Sequence, residues 1–121
     1  MKTYFISSHL DLTENEFNEH YKSIIDEVLL NQDNFIIGDA RGADTMAQMY
    51  LFNKTNKVTI YHMFNNPRNN VGNFKTIGGF CSDSERDSAM AQSNDHDIAW
   101  VRPGREKSGT AKNLKRRKIN I

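Results

Sequence analysis

The stretch IIGDARGADTMAQMYL, Ile36 to Leu51, decides the fold. It opens on β-branched residues, crosses a turn of glycine and polar side chains, and continues with Ala43, Met46, Ala47, Tyr50 and Leu51 at helical spacing. With Asn34 and Phe35 in front, it reads as strand, tight loop and helix, the unit from which parallel sheets with crossover helices are built. Gly38 and Gly42 allow a close approach that a β-carbon blocks, and free N–H groups at the helix start favour an anion. Arg41 adds a planar fork suited to phosphate or carboxylate, and Asp44 reads as the cap of the helix. Similar turns follow strands that bind nothing, so the pattern alone leaves ligand binding and plain capping open.

Working outward, Lys2 to Ser7 (KTYFIS) is a short β-rich run ending in small polar residues, the expected first strand. Thr13 and Glu16 form a capping-box pattern ahead of Phe17, Tyr21, Ile24, Ile25, Val28 and Leu29, which lie on one face of a single predicted helix. Lys57 to Met63 (KVTIYHM) reads as a third strand. Phe64 to Phe80 holds both prolines and no periodicity; at about seventeen residues it exceeds the usual connection and predicts a lid over a site. Ser82 and Glu85 make a second capping-box pattern, HDIAWV (His96 to Val101) a fourth strand, Ser108 the start of a last helix, and KINI a fifth strand. The fold class that follows is α/β: one three-layer Rossmann-like domain over residues 1–121, with a central parallel sheet of four to five strands.

The 121 residues suffice for a core without disulfides or a structural metal, and 37% hydrophobic with 26% charged content fits a globular chain. No run approaches the ~18 apolar residues of a membrane span. The start MKTYFISSH lacks a signal-peptide pattern, so a cytoplasmic location and no membrane partner are expected. Cys81 is the only cysteine, and neither a zinc site nor any cofactor is expected. With a formal charge of +1 the molecule has no strong field for nucleic acid. The Lys112 to Lys118 cluster offers a nucleic-acid contact or, more simply, cations that complement a helix C-terminus.

Ligands of open parallel sheets bind beyond the carboxyl ends of the strands, where strand order reverses. Three loops compete for that role: Ser7-Ser8-His9, Gly38 to Asp44, and Arg102 to Thr110. In the last, Ser108, Gly109 and Thr110 stand at a helix start where hydroxyls and amides can surround one anion, with Asn113 a turn later; a plain cap at Ser108 is the equal alternative. Two such loops point to a ligand with more than one anionic or polar end. His9 is either an acid/base or ligand contact or an ordinary loop histidine, and Arg102 and Arg105 either clamp the ligand or are solvated. Phe64, Phe74 or Phe80 could stack on a base, while Trp100 and Tyr50 are expected in or beside the core.

GDARGAD followed by an apolar helix resembles the GGARGAD signature of small SLOG-superfamily proteins, relatives of the LOG and DprA-like Rossmannoid domains. The resemblance spans nearly the whole chain and includes the small polar end of strand one, an arginine early in helix three (ERDSAM) and SGTAKN after strand four. It implies a nucleotide-type small-molecule ligand (a nucleoside monophosphate, ADP-ribose or an NAD-derived compound) and a homodimer or higher homo-oligomer. By position it carries ligand contacts to Gly38, Asp39, Arg41, Gly42, Asp44, Arg86, Ser108, Gly109 and Thr110, with Ser7 and Ser8 lining the strand-one side. Asp39 departs from the second glycine of the signature and sets a carboxylate beside a phosphate site, which a ribose contact resolves most simply. LOG phosphoribohydrolases carry a functional glutamate where Asn113 stands, and asparagine supplies neither a general base nor a negative charge. Sensing or sequestration, as by a virus-encoded signal sponge, is therefore expected ahead of N-glycosidase activity.

Overall fold

A computed structural model describes residues 2–7, 10–40, 42–71 and 74–103. Its elements, in chain order, are β1 (Thr3–Ser7), α1 (Glu14–His20), α2 (Lys22–Leu30), β2 (Asn34–Gly38), α3 (Ala43–Leu51), β3 (Val58–Met63), β4 (Lys75–Phe80), α4 (Asp83–Gln92) and β5 (His96–Ala99). The strands form one sheet in the order β4-β3-β2-β1-β5, and every pair is parallel. Order therefore reverses beside β1, whose carboxyl end lies between those of β2 and β5.

Alternation along the strands divides the core into two layers. Ile6, Phe35, Ile37, Val58, Ile60 and Ile98 pack with Phe17, Tyr21, Ile25, Val28, Ala47 and Leu51 from α1, α2 and α3. Phe5, Ile36 and Tyr61 turn to the other face and meet Met90 and Ala89 of α4. The expected three-layer α/β architecture is thus observed, with five parallel strands.

Two expectations are corrected. The single first helix is two helices meeting at Tyr21, whose backbone (φ −120°, ψ −42°) leaves the helical region although the Tyr21 N–H to Phe17 carbonyl and Ile25 N–H to Tyr21 carbonyl bonds, both 3.0 Å, run through the bend. The phenol fixes this bend: fully buried, its hydroxyl donates to the Ser7 carbonyl (2.8 Å) and accepts from the Trp100 N–H (2.9 Å), linking the carboxyl ends of β1 and β5. The unstructured lid of residues 64–80 is instead a short loop followed by β4, an edge strand whose glycines and exposed side chains gave no signal of β-structure. Part of that loop is fastened down, because the buried Gln48 amide donates to the Gly38 and Asn69 carbonyls (3.2 Å each) and its oxygen accepts from Val71 N–H (2.8 Å). The Thr13–Glu16 capping box is present, and Ser82 caps α4 through the Glu85 N–H. The helix and strand expected after Ser108 lie outside the described residues, as do Ser8, His9, Arg41 and Arg105.

Candidate functional site

Strand β2 ends in Gly38 because two polar side chains converge on it. A β-carbon there would lie 2.6 Å from Asp44 Oδ2 and 3.3 Å from Arg86 Cζ. Asp39, the next residue, is fully buried at the top of the sheet. Arg86 of α4 donates through Nη1 to Asp39 Oδ1 (2.6 Å), and Arg68 through Nη2 to the same oxygen (2.9 Å). The Arg68 backbone N–H (2.7 Å) and Nε (3.3 Å) both reach Asp39 Oδ2. Arg86 also meets Asp87 (3.1 Å) and Asp83 (3.4 Å), and Arg68 meets Asp83 (3.0 Å).

These contacts set opposite proton affinities in neighbouring carboxyls. Burial disfavours the Asp39 anion, but hydrogen bonds from the Arg68 side chain and backbone, with the charges of Arg68 and Arg86, outweigh it and hold its carboxyl below the usual range. At Asp44 burial wins: it pushes the carboxyl up to about 7, against Arg86 and the Ala40 N–H, with Asp87 and Asp39 adding repulsion. Asp44 is not the helix cap expected of it. Gly42 (φ 77°) occupies the cap position, and Asp44 reaches back from the first turn to accept from Ala40 N–H at 3.1 Å.

The residues expected around this point are therefore brought together in part. Ser7, Gly38, Asp39, Asp44 and Arg86 share the carboxyl ends of β1 and β2, since Ser7 and Gly38 follow directly on the paired Ile6 and Ile37. Ser7 Oγ is buried there without a hydrogen-bond partner. Ser8, His9, Arg41, Ser108, Gly109, Thr110 and Asn113 lie outside the described residues. The ribose role expected of Asp39 is corrected, because both its oxygens are filled by the two arginines. A ligand clamp from Arg102 is corrected too: it bonds Glu16 (2.7 and 2.9 Å) and Asp11 (3.2 Å), and its hydrogen bonds to Glu16, then the Thr13 N–H, lower the Glu16 carboxyl to about 2. Phe80 stacks on Tyr61 and Phe74 packs on the core, so of the three phenylalanines proposed to stack on a base only Phe64 is largely exposed.

Sequence reasoning missed Arg68, Gln48 and Asn69, whose amide donates to the Asp39 carbonyl at 2.9 Å. One signal was available for Arg68: an aspartate directly after the apolar run FII and Gly38 is buried and needs cations, and NNPRNN supplies one. Among the described residues no three His, Cys, Asp or Glu side chains are placed to hold a metal, and no helix is long and apolar enough to cross a membrane. Comparison with protein-family models, curated proteins and solved structures gives no match.

Proposed function

We propose that the crevice at the carboxyl ends of β1 and β2 binds a nucleotide-type small molecule, such as a nucleoside monophosphate, ADP-ribose or an NAD-derived compound, and senses or sequesters it. The observation that carries this reading is Ser7 Oγ, buried and unpartnered beside the Gly38 cradle at the point where strand order reverses. An unpaired buried hydroxyl costs about 1–3 kcal/mol, which a ligand oxygen recovers. Since Asp39 is already matched by Arg68 and Arg86, the ribose hydroxyls fall to Asp44. The phosphates fall to the start of α3 with Arg41, and to Ser108–Thr110, the assignments that the SLOG resemblance implies.

The test is mass spectrometry of small molecules released when protein purified from cells is denatured, joined to a thermal-shift panel of nucleotides, ADP-ribose and cyclic ADP-ribose isomers. An intact co-purifying nucleotide or a clear rise in Tm is expected. Ser7→Ala is expected to lose that rise while leaving the empty protein as stable as before or more so. No released compound and no shift across the panel would sink the reading.

A second reading, N-glycosidic hydrolysis, is favoured by one observation: a carboxyl poised at about 7 suits a group that gives and takes a proton at neutral pH. It predicts free base accumulating from a nucleoside monophosphate or NAD derivative, and loss of that release in Asp44→Asn. Substrate returned intact argues against it.

A further inference from the structure

In an all-parallel sheet the strands are normally covered on both faces. Strand β4 departs from this: Lys75, Thr76, Ile77, Gly78 and Gly79 are all exposed, and among the described residues no strand pairs with its outer edge. Beyond the start of β4, a groove of about 460 Å³ lined by Phe52, Phe74 and Lys75 continues the surface to the end of α3, where Phe52 is half exposed. An open edge bearing partly exposed apolar side chains is a template for another strand. Its charges are ordered along its length: Lys75 opens the strand, and the exposed Asp83 and Glu85 follow its end.

From this order we infer that β4 is the dimerisation edge of the protein, pairing antiparallel with β4 of a second copy across a two-fold axis. A two-fold reverses the strand, so each Lys75 meets the acidic end of the other copy; a parallel neighbour would set like charges side by side. The bulge between Tyr61 and Met63, with Gly79 at φ 90°, ends the regular edge after a few residues and makes the contact a closed pair, not an open stack. The paired edge buries Ile77 and joins the two sheets into one of ten strands.

Sedimentation velocity of the full chain over about a hundredfold dilution tests the inference. The expected result is a species of twice the 13.9 kDa chain mass that dissociates on dilution. Ile77→Lys and Lys75→Glu are each expected to give monomers with an unchanged circular-dichroism spectrum, and Lys75→Glu combined with Glu85→Lys to restore the dimer. A wild type that stays monomeric throughout overturns the inference and leaves the edge to some other strand. A dimer indifferent to Ile77→Lys and Lys75→Glu overturns it as well, because the contact then lies elsewhere.

Discussion

At Gly38 one hydrogen atom in place of a methyl group decides whether Asp44 and Arg86 can share the end of β2. Gly38→Ala drives a β-carbon to 2.6 Å from Asp44 Oδ2, so a loss of about 1–3 kcal/mol is expected in urea unfolding; an unchanged midpoint would mean that the two side chains can move apart freely. The raised Asp44 carboxyl has a signed consequence. Unfolded aspartate titrates near 4, so between roughly pH 4 and 7 the unfolded chain has lost a proton that folded Asp44 keeps. Stability from this group is full below that window and falls as the pH rises through it. Asp39 acts in the opposite sense: its contribution is present at neutral pH and is lost on acidification below the usual carboxylate range. Asp44→Asn, which mimics the protonated form and keeps an acceptor for Ala40 N–H, is expected to raise Tm at pH 8 and to change it little at pH 4. Equal shifts at both values would show that Asp44 does not titrate as stated. The signature made Gly38, Asp39, Asp44 and Arg86 legible in the sequence as neighbours. Arg68 was not, because its partner lies 29 residues away and no spacing rule links a polar loop to a buried carboxylate.

At the scale of elements, legibility followed propensity. Strands β1, β2 and β3 are β-branched or aromatic and could be read directly; β4 has the sequence KTIGGF and owes its strand state to hydrogen bonding with β3. The bend between α1 and α2 was equally hidden, since the apolar spacing continues unbroken through Tyr21 and only the positions of Ser7 and Trp100 require the turn. That hydroxyl stands where β1 and β5 separate after the Ser7–Ala99 pair. Tyr21→Phe removes both bonds and leaves a carbonyl and an N–H unpaired, with an expected loss of about 1–3 kcal/mol. Amide exchange should locate the damage: protection at Trp100 is expected to fall while that of β2 and β3 is kept. Uniform loss over the sheet would deny the phenol its role as a local tie.

For the whole molecule, the alternation of strands and helices was enough to give the fold class, while strand order and register were not written in any local pattern. The order β4-β3-β2-β1-β5 has a consequence for how the chain is made. The first strand to leave the ribosome is flanked on one side by nearly the last described one: Thr3 N–H bonds Asp95 Oδ2 across 92 residues, and Tyr4 pairs with His96. A growing chain can zip β1, β2 and β3 together, yet one edge of β1, with Phe5 and Ile6 on its two faces, waits for residues 96–99. Such long-range closure is slow to form. During synthesis the nascent protein therefore carries an open apolar seam along its oldest segment, the surface that a chaperone at the tunnel exit would meet first.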